Sequence, residues 1–125
     1  MARAMVVDDS RCVRTLLSRT LCELGYEVME ASDGQEALET LEKSAVPFDL
    51  VLTDWNMPRM NGLELLRAIR SHARFRSLPV IMVTTETETP QMTTALEAGA
   101  NEYILKPFTP EIVADKLRLA ALSAT

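Results

Sequence analysis

Cysteine, histidine and glycine are scarce in this chain, with two, one and four residues among 125. Cys12 and Cys22 form no C-x-x-C pair. On a single helix they would stand about 15 Å apart, beyond disulfide reach, so free thiols are expected. No stretch approaches the ~18 apolar residues of a membrane span. The opening MARAMVVDD lacks the apolar core of a signal peptide and reaches two aspartates almost at once. The expected compartment is therefore the cytoplasm. Positive charge is in the minority too: thirteen Lys and Arg against eighteen Asp and Glu leave a net charge of -5. That balance gives no electrostatic footprint for nucleic acid or for an anionic membrane. Arg70, Arg74 and Arg76, with His72 and Phe75 between them, are too few to alter it and are expected to form a solvated connecting face.

What the chain has is alternation. Five short apolar runs occur at Met5–Val7, Tyr26–Met29, Phe48–Thr53, Pro79–Thr84 and Tyr103–Leu105. Several are continuous, as strands covered on both faces should be. Between them the apolar spacing changes to about 3.6 residues. Val13, Leu16, Leu17, Leu21 and Leu24 trace a first helix that Gly25 stops. Ser32 and Gln35 match a capping box for a second, over Ala37, Leu38 and Leu41. Leu63, Leu66 and Ile69 mark a third. Thr89-Pro90 and Thr109-Pro110 read as N-cap plus first-turn proline, opening a fourth helix (Met92, Ala95, Leu96) and a fifth (Ile112, Val113, Leu117, Ala120). Strand and helix in strict alternation predict one α/β domain, a five-stranded parallel sheet doubly wound by five helices. The fifth helix runs almost to Thr125, so residues 1–125 are expected to form a single domain with no output domain.

Open parallel sheets bind ligands at the carboxyl ends of their strands. Here those ends deliver Asp8 and Asp9, Asp54, Thr84 and Thr85, and Lys106. Each has a plain reading on its own: a helix cap, a turn aspartate, a strand-end threonine, a solvated lysine. Together they are far more specific. Three gathered carboxylates cannot all ionise cheaply without a cation, and oxygen ligands suit Mg²⁺. A metal, an ammonium and a hydroxyl around one carboxylate form an arrangement that stabilises phosphoryl transfer onto it.

The segments VVDDS, LTDWNMPRMNGLELL, VIMVTTE and EYILKPFT carry a resemblance that covers essentially the whole chain. They are similar to the receiver domain of two-component response regulators, its single-domain CheY-like members in particular. The resemblance implies a flavodoxin-like sheet of order 2-1-3-4-5. It also implies that Asp54 accepts a phosphoryl group from a sensor histidine kinase or phosphotransfer protein. Asp9, Asp54 and the carbonyl of Asn56 would hold Mg²⁺, with Asp8 acting through water. Lys106 would pair with the phosphoryl group and Thr84 would hydrogen-bond it. Tyr103 would turn inward when Thr84 moves, and Asn56 and Glu86 would tune dephosphorylation. The Lys106-Pro107 bond matches a position that is cis in the family. Gly62 matches its loop glycine, for which a positive φ is the expected reason.

There are departures as well. Asn61 stands where aspartate is common, and Thr85 replaces a smaller residue, which would narrow access. Glu88 and Thr89 occupy positions where lysines would favour a flagellar motor target. Met92, Leu96, Tyr103 and Lys116 remain a candidate partner surface, methionine being suited to adaptable contacts. The expected function is a monomeric, phosphorylation-activated switch that signals to a downstream protein, in chemotaxis or another pathway, without small-molecule turnover. Two alternatives stay open at this point: a phosphorylation-independent interaction module and a Mg²⁺-dependent aspartyl phosphatase.

Overall fold

The computed structural model describes residues 2–85 and 89–124. Five strands alternate with five helices: β1 (Arg3–Val7), α1 (Arg11–Glu23), β2 (Glu27–Ala31), α2 (Gly34–Lys43), β3 (Leu50–Thr53), α3 (Gly62–Ser71), β4 (Val80–Thr84), α4 (Thr89–Glu97), β5 (Glu102–Leu105) and α5 (Pro110–Ala124). A short 3-10 turn, Ala73–Phe75, joins α3 to β4. The sheet is parallel throughout, with order β2-β1-β3-β4-β5.

Alternate residues of the inner strands enter separate apolar layers. Met5, Val7, Val51, Val80 and Met82 pack with Ala37 and Leu41 of α2, Leu65, Leu66 and Ile69 of α3, and Ala95 of α4. Ala4, Val6, Leu50, Leu52, Ile81 and Val83 pack with Leu17 and Leu21 of α1 and Val113, Leu117 and Ala120 of α5. Because both faces are covered, these strands are apolar without alternation. The edge strand β2 extends past the apolar run to Ala31, since Glu30 stays in solvent, where Arg14 pairs with it at 3.1 Å.

Several local expectations change. The buried stripe of α1 is Leu17, Thr20 and Leu21, which leaves Leu16 and Leu24 exposed at 48% and 47%. Thr20 can turn inward because its hydroxyl donates to the Leu16 carbonyl at 3.0 Å. Asp33, not Ser32, caps α2: its carboxylate accepts from the Glu36 N–H at 2.9 Å, while the Ser32 hydroxyl donates to the Glu36 carboxylate. Asn61 and Glu64 form a reciprocal capping box on α3. Thr109 caps α5 as expected, accepting from the Ile112 N–H, whereas Thr89 is already the first residue of α4. Gly25 follows the last turn of α1 with φ 95°.

Arg70 does not belong to a solvated face. Its guanidinium donates to the carbonyls of Leu78 (2.7 Å) and Gly99 (2.8 Å) and to Asn101 Oδ1 (2.9 Å). It thereby bolts α3 to the loops on either side of β4 and α4. Arg74 closes the end of α2 by donating to the Ser44 carbonyl at 2.7 Å.

Candidate functional site

Three strand ends carry their ladders one residue further, into the site. The Asp8 N–H donates to the Ala31 carbonyl at 3.1 Å, Asp54 to Val7 at 2.9 Å and Lys106 to Thr84 at 3.0 Å. The strand order places β1 beside β3, which brings Asp8 and Asp9 to Asp54 across 45 residues of sequence. Asp8, Asp9 and Asp54 each present a carboxylate oxygen within 4.8 Å of the other two. Asp8 and Asp54 are buried at 1% and 8% exposure, whereas Asp9 faces solvent. Lys106 Nζ lies 2.8 Å from Asp8 Oδ2 and 3.3 Å from Asp54 Oδ2. Asp54 Oδ1 accepts the Trp55 N–H at 2.7 Å. Thr84 is buried at the end of the neighbouring β4.

The site is electrostatically frustrated as it stands. Burial pushes the Asp54 carboxyl above the ordinary carboxylate range; the Lys106 ammonium opposes this and the Asp8 carboxylate adds to it. Burial pulls Lys106 down, but the Asp8 and Asp54 carboxylates outweigh it and raise its pKa. One ammonium thus serves two buried carboxylates, with a third carboxylate close by. A donor set of carboxylate oxygens carrying excess negative charge is chemically matched to a hard divalent cation.

The loop after β3 is held by a close approach. The Gly62 N–H donates to the Trp55 carbonyl at 2.9 Å, and a Cβ on Gly62 would run into the Asp54 carbonyl oxygen. Gly62 is therefore required for space rather than for a positive φ; among the described residues the non-glycine residue with positive φ is Arg59. A signal missed in the sequence is Arg14, whose guanidinium donates to the Asp8 carbonyl at 2.7 Å and is itself held by Glu30. An arginine one turn into the helix after an Asp-Asp pair was the available clue.

The response regulator receiver domain model matches residues 4–118. The chain belongs to that family. It is 48% identical over 118 residues to the chemotaxis protein CheY1 of Helicobacter pylori, spanning 94% of each chain. It is 41% identical over 116 residues to the chemotaxis protein CheY of Pseudomonas aeruginosa, with 92% of each covered. The solved structure of the chemotaxis response regulator CheY4 of Vibrio cholerae superposes with a TM-score of 0.88 at 38% identity, covering 96% of this chain and 98% of that one. The acidic pocket of this receiver is of the kind in which the family uses Mg²⁺.

Around that pocket the receiver arranges the remaining candidates unevenly. Asn56 is exposed in the loop after Asp54. The Lys106-Pro107 bond is cis. Tyr103 is buried at 5% exposure within the layer that also holds Met82 and Ala95. Of the expected partner surface, Leu96 is half exposed, Met92 packs partly against the core, and Lys116 pairs with Glu102 at 2.9 Å. Glu86 and Glu88 lie outside the described residues. Beside Lys106 opens an apolar cleft of about 380 Å³ lined by Val13, Leu16, Thr85, Pro107 and Phe108. Leu16, which helical periodicity alone assigned to the core, is one of the residues that line this cleft. Among the described residues no helix is long and apolar enough to cross a membrane.

Proposed function

We propose that this receiver is a phosphorylation-activated switch whose acceptor is Asp54, acting as a single domain in a chemotaxis-type phosphorelay. The observation that carries the reading is the placement of Asp8, Asp9 and Asp54 within 4.8 Å of one another with Lys106 between the two buried carboxylates. Asp9, Asp54 and the Asn56 carbonyl would hold Mg²⁺, with Asp8 acting through water. The bound ion supplies charge neutralisation for the phosphoryl oxygens. An Asp54 oxygen forms the new bond to phosphorus as the bond to the donor's leaving group breaks, leaving an acyl phosphate. Lys106, now held by Asp8 and Asp54, pairs with the arriving negative charge. The Thr84 hydroxyl donates to the same group.

The donor is a sensor histidine kinase or a phosphotransfer protein, the class of phosphoryl donor that membership of the receiver family implies. The added charge biases Thr84 and Tyr103, and through them the α4, β5 and α5 surface that includes Met92, Leu96 and Lys116. The output is contact with a downstream protein, a flagellar motor switch or another target, and the chemotaxis names of the relatives favour a chemotaxis pathway. Asn56 and Glu86 set the lifetime of the phosphoryl state.

The test is the intact mass after incubation with acetyl phosphate and Mg²⁺, with Asp54→Asn alongside. A gain of one phosphoryl group in the wild type only, prevented by prior EDTA, is the expected result. No gain, together with no binding of beryllium fluoride detected through Trp55, would overturn the proposal and leave an interaction-only receiver.

A further inference from the structure

The loop between Asp54 and α3 has a second point of attachment. Arg59 has φ 64°, the single positive value at a non-glycine residue among those described. That conformation is disfavoured for any residue with a Cβ, and glycine or asparagine would adopt it more readily. What an arginine adds is its fork. Nε and one terminal nitrogen both reach Asp33 Oδ2, at 3.0 and 2.8 Å. The Asp33 side chain is only 7% exposed, and its other oxygen caps α2. Burial pushes the Asp33 carboxyl up, but the Glu36 amide and the Arg59 guanidinium outweigh it and hold it below the ordinary range. Immediately beside this pair the Gly34 N–H donates to the Met60 carbonyl at 3.0 Å, and a Cβ on Gly34 would stand 2.7 Å from that oxygen. The turn at residues 58–60 is thus seated on the first turn of α2. Two residues before Asp33, the Ala31 carbonyl accepts the Asp8 N–H. One short stretch of chain therefore touches both acidic loops.

We propose that the Arg59–Asp33 pair is a positioning latch for Mg²⁺ binding: it keeps the segment between Asp54 and Gly62 in the course from which Asn56 offers its carbonyl to the ion. The latch rests on the receiver reading, and it assigns Arg59 and Asp33 no contact with the ion. Its effect belongs on affinity rather than on folding. The Arg59 side chain is 61% exposed, and exposed ion pairs add little to stability, whereas groups that orient metal ligands strongly affect metal affinity.

The experiment is a calorimetric titration with MgCl₂ of the wild type, Arg59→Gly, Asp33→Asn, the double variant and Asp54→Asn, with a urea midpoint for each. Glycine takes the positive φ freely and asparagine still caps the helix, but each variant gives up the pairing that lowers Asp33, so both midpoints should fall only slightly. Each should bind Mg²⁺ about tenfold more weakly. The double variant should be no weaker than the weaker single variant, because both act through one contact. Arg59→Lys, which keeps the charge but not the fork, should recover part of the loss. Unchanged affinity in both single variants, while Asp54→Asn abolishes binding, overturns the latch and leaves the receiver reading intact. A fall in affinity matched by a steep fall in midpoint also overturns it, as does additive weakening in the double variant. No Mg²⁺ binding by the wild type overturns the latch and the receiver reading together.

Discussion

The two ends of the sheet use charged side chains for opposite purposes. At the amino end Arg3, Arg70 and Arg74 aim their guanidinium groups at backbone carbonyls: Val46 for Arg3, Leu78 and Gly99 for Arg70, Ser44 for Arg74. Each closes a loop, and Arg3 and Arg74 also lie over Phe48 and Phe75. At the carboxyl end the carboxylates outnumber their cation. Lys106 is shared by Asp8 and Asp54, and Asp9 has no hydrogen bond or ion pair among the described residues. The amino end satisfies its polar groups, and the carboxyl end leaves charge for a ligand to complete. A receiver needs both, because a site with unbalanced charge needs a frame that does not depend on it.

Substitutions at each end should separate the two roles. Removing the bolt with Arg70→Ala strands several partly buried carbonyls and should lower unfolding stability by about 3 kcal/mol in urea titrations. Phosphorylation of the folded fraction should persist. At the other end, Mg²⁺ at a hundred times its dissociation constant should raise wild-type stability by about 2.7 kcal/mol. Asp54→Asn should lose that increment while Arg70→Ala retains it. Without metal, Asp54→Asn should itself stabilise the protein at neutral pH by about 1 kcal/mol, since it removes a buried carboxylate that shares its cation. The sign follows from the upward shift of Asp54. A carboxyl with a raised folded pKa favours folding when protonated and loses that contribution as pH rises through the folded value. The advantage of asparagine should therefore shrink as acid protonates Asp54, and a gain that persists at low pH would contradict it. Smallest of all, Cys12→Ser and Cys22→Ser should stay within about 0.5 kcal/mol of wild type, as both thiols are exposed.

Much of this could be read from the chain because buried parallel strands leave a plain mark. DLVLTD is apolar on both faces and ends on a candidate site residue, and the same holds for the strands leading to Asp8 and Thr84. The strand order came through the family resemblance, since periodicity does not say which strands are neighbours. Other misreadings were three-dimensional. Ser32 and Asp33 are both good caps, and only the folded chain shows that the Asp33 carboxylate takes the Glu36 N–H. Leu16 fits the apolar spacing of α1 but faces the cleft beside Lys106. Arg70 looked like surface because an arginine's carbonyl partners, 5 to 29 residues away, leave no pattern in sequence. Gly62 was assigned correctly for the wrong reason: the obstacle is the Asp54 carbonyl rather than a backbone angle.

The extra rungs at the strand ends bear on measurement as well as on chemistry. The amides of Asp8, Asp54 and Lys106 are bonded across strands to Ala31, Val7 and Thr84. In deuterated solvent they should exchange at the pace of the sheet, far more slowly than loop amides ordinarily do. A probe on these three protons would report whether a ligand bound to the side chains tightens the frame beneath them. The site can then be monitored from its backbone, with no label placed in it.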